Sequence, residues 1–564
     1  MLEKSTMPRL SFKGKVFVEN HHLAVPFHEL LPERDKGLNE RASLHDNLIV
    51  HGDNLAALKS LLPTYHSKVK CIYIDPPYNT GKEGWAYSDK VNSPFMQDWL
   101  GHVVDRDDLT RHDKWLCMML PRLKLLCELL REDGVIFVSI DDNEVHHLRC
   151  LMAEVFGEEN FIACLPTVMN RKGNNDEFGF SGTHEYTLCW AKDISQAEIG
   201  EFPLADEELE DWKEDEFGYW KQGANLKATG INAPRNKRPN LFFPVFVDEN
   251  DNLFISETNH RDLPGYISVF PVSGNDEMSW RWSKEKFRQD AHDVIISRLG
   301  NSISLYKKQR PKAGDLPSRK PKSLLEEPAY SSGNGTAMMK SIFGEKVFDY
   351  PKPTKLIMDL LSLATNEDSI VLDSFAGSGT TAQAVLALNR GGGSRRFILI
   401  ECEDYADSIT AERVRRVING VPTAKDNDLR EGLGGTFSYF KLGLPMCQES
   451  LLDGSHLPEW EKLASYIFFT ATGQEFDPAA INRATGFIGS TQSHDVFLFY
   501  EPDVNKLKSL ALSLHVARAL PEGQKRKLVF APTKYLDTEF LHEYRIDFQQ
   551  LPFQIYKAIE RLES

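Results

Sequence analysis

Two stretches of this chain alternate short apolar strands with amphipathic helices, and this alternation restricts the fold more than any other feature. In the first, from Asn47 to about Pro166, LIVHGDNLAAL reads as a strand, a turn and a helix start, and CIYIDPPYN as a second strand. DKWLCMMLPRLKLLCELLREDG places its apolar residues at helical spacing and ends at Asp133-Gly134. GVIFVSIDD then reads as a buried strand and NEVHHLRCLMAEVFG as another amphipathic helix. In the second stretch, SIVLDSFAGSGTTAQAV and RFILIECED repeat the pattern. Strands separated by helices pair in parallel and are covered on both faces. The expected class is α/β with a mostly parallel sheet.

At 564 residues the chain is expected to hold several domains. Residues 1–40 are mixed and polar, as in an extended arm, and 41–166 form the first half of the core. Residues 167–345 loosen into Gly, Asn, Pro and short aromatic strands, with Trp280 and Trp282 as core candidates. Residues 346–445 form the second half of the core. In 446–564, SHDVFLFYE and RKLVFAP read as strands and VNKLKSLALSLHVARAL as a helix, which suggests a small C-terminal α/β domain.

No run reaches the 18 apolar residues of a membrane helix, and MLEKSTMPRLSFKGK lacks the apolar centre of a signal peptide, so a cytoplasmic protein is expected. The eight cysteines form no CxxC pair and no Cys/His metal spacing; neither disulfides nor a metal site are expected. A net charge of -16 argues against a nucleic-acid partner, but the charge is uneven. LADEELEDWKEDE (204–216) is acidic, and YKKQRPKAGDLPSRKPK (306–322) is basic.

Two strand endings carry the chemistry. One strand ends at Asp373, and a Gly-rich turn, Phe375-Ala376-Gly377-Ser378-Gly379, opens a helix at Thr380. Glycines there let a ligand approach the backbone; the alternative is a plain tight turn. No GxxxxGK[ST] lysine is present for a triphosphate, which excludes an ordinary nucleotide-binding module. The next strand ends in Glu401, where a ribose is held in such folds. This half reads as a pocket for a nucleoside without phosphates. The other ending is Asp75-Pro76-Pro77-Tyr78. The prolines can neither donate to a ladder nor continue a helix, so the chain stays open at the strand's carboxyl end. Asp75 and the Pro76 carbonyl offer only acceptors, which suits an exocyclic amino group, and Tyr78 offers a stacking face. The alternative is a Pro-Pro turn with an exposed tyrosine.

DPPYNTG and FAGSGTT resemble the two signature motifs of S-adenosylmethionine (SAM)-dependent amino-group DNA methyltransferases. The catalytic motif comes first and the SAM loop about 300 residues later, as in the β-class arrangement. LIVHGDNLAAL, GVIFVSIDDNE, HEYTLCWAK, RPNLFFPVFVD, SWRWSKEKF and FDYPKPTKL are similar to stretches of the modification subunit of Type III restriction–modification systems. The resemblance covers roughly residues 45–445.

It implies a Rossmann-like methyltransferase core with an inserted target recognition domain at 167–345, and N6-methylation of a flipped adenine in duplex DNA. Asp75, Pro76, Pro77 and Tyr78 would be catalytic. Asp53, Asn54, Asp75, Lys352, Thr354, Asp373, Phe375, Gly377, Ser378, Gly379, Thr380 and Glu401 would meet SAM. For Asp53-Asn54 the alternative is a helix cap, and for Lys352 and Thr354 a Pro-fixed turn. Asp141 and Asp142 would shape the base pocket or cap the following helix. Arg171, Lys172, Lys307, Lys308, Arg310 and Lys312 would meet DNA phosphates, and the acidic 206–216 stretch would lie away from DNA or mimic it. The family analogy further implies a homodimer and a restriction or helicase subunit as partner. Competing readings are cytosine-N4 or RNA methylation on the same scaffold, and a SAM-binding DNA-recognition subunit active only with a partner.

Overall fold

A computed structural model describes residues 10–80, 110–173, 179–204, 206–256, 262–300, 302–311, 316–446 and 457–551. The chain divides into two compact units, residues 1–200 with 322–564, and residues 201–321.

The first unit is built on a nine-stranded sheet. Its strands are β1 (His28–Pro32), β2 (Leu48–His51), β3 (Val69–Ile74), β4 (Leu130–Ile140), β5 (Phe161–Val168), β6 (His184–Ala191), β7 (Ile370–Asp373), β8 (Arg396–Glu401) and β9 (Ser438–Pro445). Their order in space is β1-β9-β2-β8-β7-β3-β4-β6-β5. From β9 to β4 neighbours run parallel; β1 at one edge and β6 and β5 at the other pair antiparallel. The short strand β7 lies between β3 and β8, with Val371 opposite Cys71 and Asp373 opposite Leu399.

Alternate residues of each strand feed two cores. Ile72, Ile74, Leu372 and Ile398 face one, with α1 (Asn54–Tyr65), α2 (Arg111–Leu129) and α3 (Val145–Phe156). Cys71, Tyr73, Val371 and Phe397 face the other, with α4 (Thr354–Ala364), α5 (Thr380–Asn389) and α6 (Glu412–Asn419). Strands buried on both sides explain why these segments read as unbroken apolar runs. Each fully buried Leu or Ile contributes about 1.5–3 kcal/mol.

Three segments differ from expectation. Residues 10–40 are not an extended arm: two helical turns, Lys15–Val18 and His21–Ala24, lead into β1, and Val18, Phe27 and Leu30 are buried. The 167–345 stretch is split. Residues 167–200 and 322–345 belong to the first unit, where β6 inserts between β4 and β5 because Leu188, Cys189 and Trp190 are all buried there. VNKLKSLALSLHVARAL forms two helices, Val504–Ser509 and Leu514–Ala519, because Ser513 caps the second by accepting from the Val516 N–H. These helices accompany a separate four-stranded sheet, β10 (Phe487–Ser490), β11 (His494–Leu498), β12 (Arg526–Ala531) and β13 (Ile546–Gln550), whose last three strands are parallel.

The second unit, Glu201–Pro321, holds a four-stranded antiparallel sheet and a three-stranded one. Trp280, Trp282, Phe243, Val245 and Leu305 pack around the fully buried Phe287, and the Trp280 indole N–H donates to the Phe243 carbonyl at 2.9 Å.

Candidate active site

Strands β3 and β7 end side by side, so the two motifs that stand about 300 residues apart in sequence border one cavity of about 750 Å³. That is the size range of a small-molecule site.

On the β7 side, Asp373 leaves the strand buried. Its Oδ1 accepts from the Phe375 N–H at 3.0 Å and its Oδ2 from the Thr381 hydroxyl at 2.5 Å. Burial pushes its carboxyl up to about 7. The turn that follows needs left-handed backbone at Gly377 (φ 50°) and Gly379 (φ 78°). A Cβ on Gly379 would sit 3.1 Å from the Thr410 carbonyl. Glu401, at the end of β8, closes the turn from beside it. It accepts from the Gly377 N–H at 2.7 Å, and from Cys402 and Glu403 at 2.9 and 3.0 Å. Burial raises its pKa, against the pull of these three donors.

Behind the turn, the fully buried Arg413 of α6 donates to Ser378 Oγ at 2.8 Å, Thr380 Oγ1 at 2.7 Å, Gln383 Oε1 at 2.8 Å and Thr354 Oγ1 at 3.3 Å. One guanidinium therefore ties the glycine turn to the start of α4. On the cavity's far wall, Asp53 caps α1 by accepting from the Ala56 N–H at 3.0 Å, and Arg122 of α2 reaches both Asp53 and Asn54. The Asn54 amide donates to the Ser374 carbonyl at 3.1 Å. The Ser374 hydroxyl, also on the cavity, is buried and makes no hydrogen bond.

On the β3 side, Asp75 Oδ1 is buried and makes no hydrogen bond; the Lys352 ammonium stands 3.3 Å away. Lys352 Nζ also lies 2.6 Å from Glu185 Oε1, donates to the Tyr78 hydroxyl and sits 4.9 Å from the centre of the Tyr78 ring. Tyr78 in turn donates to Glu185 Oε2 at 3.2 Å. Burial raises the pKa of Glu185; burial works to lower that of Lys352, but the Asp75 and Glu185 carboxylates outweigh it and the direction is up.

Of the residues expected at the site, Asp53, Asn54, Asp75, Pro77, Lys352, Asp373, Phe375, Gly377, Ser378, Thr380 and Glu401 line this one cavity. Pro76, Tyr78, Thr354 and Gly379 stand beside it. Lys352 lines the cavity and also meets the catalytic tetrapeptide, through Asp75 and Tyr78. Asp141 accepts from the Asn143 N–H at 2.9 Å within the turn before α3, whose first residue is Val145, so this bond does not cap the helix. The sequence reading missed Arg122, Glu185 and Arg413, together with Phe348, Tyr350 and Tyr405 on the cavity wall. Tyr405 stands four residues after Glu401, and Arg122 four after Met118 on one face of α2; those spacings were the available signal.

The cations expected on DNA are differently placed. In the first unit Arg171 and Lys172 are exposed, and Arg171 donates to the Glu326 carbonyl. In the second unit Lys307 is exposed. Lys308 and Arg310 instead pair with Asp215 of the acidic stretch at 2.6 and 2.7 Å, and Arg310 also pairs with Asp293. Lys312 lies outside the described residues.

A family model described as a DNA methylase matches residues 69–412. The EcoPI Mod subunit of a Type III restriction-modification enzyme, from Escherichia phage P1, is 39% identical over 453 residues, covering 75% of this chain and 70% of that protein. The Type II methyltransferase M.KpnI of Klebsiella pneumoniae is 33% identical over 357 residues, 62% of this chain and 79% of its own. The StyLTI Mod subunit of Salmonella typhimurium is 29% identical over 467 residues, 78% of this chain and 67% of its own. Among solved structures, an M1.HpyAVI–SAM complex aligns with 65% of this chain and 98% of that one at 14% identity and a TM-score of 0.29.

Proposed function

This chain belongs to the DNA methylase family, and we propose that within it the chain transfers a methyl group from SAM to the N6 amino group of adenine at a specific site in duplex DNA. The single observation that carries the reading is the pairing of β7 with β3, which makes a glycine cradle and an acceptor-only Asp-Pro-Pro-Tyr end face one cavity.

The residues fit SAM. The left-handed turn at Gly377 and Gly379 lets the backbone approach a ligand, and no lysine awaits a phosphate there. The Ser374 hydroxyl is a buried polar atom without a hydrogen bond, as a polar ligand would require, and Asp75 Oδ1 is met by the Lys352 ammonium at 3.3 Å. Glu401 keeps acceptor capacity beyond its three backbone donors and would take ribose hydroxyls. Asp53, Asn54 and Phe375 would border the adenosine, and Asp373, Ser378 and Thr380 would hold the turn around it. When bound, SAM supplies an electrophilic methyl on a sulfonium leaving group.

The chain's part is to place the attacking nitrogen. Asp75 and the Pro76 carbonyl would accept both amino hydrogens of a flipped base and turn the nitrogen's lone pair toward the cavity. Tyr78, held by Lys352 and Glu185, would stack on the ring. Thr354, tied to Arg413, would keep the Lys352 segment against the glycine turn.

The second unit has the place of a target recognition domain, with exposed Lys307 available to DNA phosphate. Arg171 and Lys172 of the first unit would add phosphate contacts. The Mod-subunit relatives support a modification role beside a restriction subunit, and residues 446–564 are the segment proposed to meet that partner or a second copy. Such a protein acts in the cytoplasm; among the described residues no helix is long and apolar enough to cross a membrane.

The test is methylation-aware sequencing of DNA from a host lacking adenine methylation that expresses this chain, with Asp75→Ala as control. N6-methyladenine at one short motif, absent in the control, is expected. N4-methylcytosine in nucleoside mass spectrometry would overturn the choice of base, and light scattering with and without DNA tests the homodimer.

A further inference from the structure

Glu144 directly precedes α3, where an acidic side chain ordinarily caps the helix, yet it makes no cap hydrogen bond. Its side chain is fully buried and turns toward the catalytic strand end. There Oε1 accepts from the Asn79 amide at 2.5 Å and lies 2.5 Å from His112 Nδ1 on α2; Oε2 lies 2.8 Å from His147 Nδ1 on α3. Asn79 is the residue after Asp75-Pro76-Pro77-Tyr78. It is itself fully buried and held in left-handed backbone (φ 59°), which asparagine adopts more readily than most residues. A second tie comes from α2, whose Trp115 indole N–H donates to the Pro77 carbonyl at 2.7 Å.

We propose that Glu144 is a positioning residue for the methyl transfer: through Asn79, and braced by His112 and His147, it sets the exit of the Asp-Pro-Pro-Tyr turn so that Asp75 and Tyr78 meet the target base in register. The inference rests on the methyltransferase reading for its kinetic consequence, but the loop anchor itself does not. A brace from behind suits this end of the sheet, since Pro76 and Pro77 have no N–H with which to tie the turn to a neighbouring strand. Burial pushes the Glu144 carboxyl up to about 8, with Asp141 adding to the rise and Asn79 and Arg111 opposing it. A carboxyl that keeps its proton near neutrality can accept from Asn79 on one oxygen and donate to His147 from the other. Glutamine reproduces both bonds, whereas alanine reproduces neither.

The test compares Glu144→Ala, Glu144→Gln, Asn79→Ala and the Glu144→Ala/Asn79→Ala double variant, with folding checked by thermal melting. Expected for Glu144→Ala is a loss of single-turnover methylation of about 100-fold, the scale of a small misplacement at a reacting centre, with SAM affinity within about threefold of wild type. Glu144→Gln should recover most of that loss. The double variant should be no slower than the worse single, since both cut one tie. Hydrogen exchange of the 71–80 peptide should speed up in Glu144→Ala and much less in Glu144→Gln. Additive losses, or a Glu144→Ala enzyme as fast as wild type, would overturn the proposal. So would zinc binding that Glu144→Gln abolishes together with chelator-sensitive activity, because Glu144 would then be a metal ligand with His112 and His147, whose ligand atoms lie within 4.8 Å of one another. If the wild type methylates no DNA, the methyltransferase reading fails by itself, and the exchange measurement still decides whether Glu144 anchors the turn.

Discussion

At the ends of β7 and β8, every carboxylate oxygen has been given a donor: Asp373 takes a backbone N–H and a hydroxyl, and Glu401 takes three backbone N–H groups. At the end of β3, two paired strands' width away from Glu401, Asp75 presents a buried oxygen with no hydrogen bond and a lysine at 3.3 Å. The first end is a cradle closed by its own hydrogen bonds, with the Ser374 hydroxyl left unpartnered on the cavity. The second is a set of acceptors left open and held from behind. The glycine-turn end is shaped by its own hydrogen bonds and the Asp75 end by an ion pair that an entering amino group can join, a difference that fits the proposed division between gripping the donor and meeting the reacting group.

The largest effect expected is at the open end. Asp75→Ala should cut methylation by about 10³-fold or more, because amino-group placement is lost, while calorimetry still detects SAM binding. Equal losses of both would erase the division of labour. Next is a pH effect in the cradle. Burial pushes the Asp373 carboxyl up to about 7, from the 3.8 of an ordinary aspartate, so between those values the folded chain binds a proton that the unfolded chain has released. Its contribution therefore worsens as pH rises from about 4 to 7 and is constant outside that window. At ~1.4 kcal/mol per unit, the cost is capped at about 4 kcal/mol. Asp373→Asn should escape it, so chemical denaturation should show the variant gaining on wild type across that window. Third, Gly379→Ala forces a side chain into left-handed backbone at about 1–2 kcal/mol and against the Thr410 carbonyl. SAM affinity should fall about tenfold with single-turnover rate at saturation little changed. The smallest effect separates two roles of one residue. Asp53→Ala should cost about 1 kcal/mol of stability through the lost cap. Asp53→Asn keeps the cap, so a few-fold rise in its SAM dissociation constant would report contact with the ligand.

Both strand ends were legible because their signals are local: an apolar run, an acid, then prolines or glycines within a few residues. Asp373, Gly377, Glu401 and Asp75 were found that way. Glu185 and Arg413 were not, since each acts across the fold on residues 30 or more positions away. Arg413 also lies in RVRRV, where a charged run on an amphipathic helix reads as a solvated face. It is buried because Ser378, Thr380, Gln383 and Thr354 supply acceptors that no window of sequence contains. Lys308 and Arg310 show the opposite: two cations of a basic run read as free are paired with Asp215 and Asp293. The edge strand β1 and the antiparallel strands β6 and β5 at the other side went unread because pairing partners, not periodicity, decide whether a short segment joins a sheet.

The placement of β7 also has a consequence for biosynthesis. Strand β3 leaves the ribosome near residue 74, but the neighbour that covers its inner edge is made only at residue 370, and β9, which closes the far side onto β1 and β2, only at residue 438. At about 5–20 residues per second, the nascent half-sheet waits tens of seconds with an apolar edge unpaired. The supply of chaperones in the host thus bears on how much of this chain matures, since a central strand of its sheet arrives about 300 residues after its neighbour.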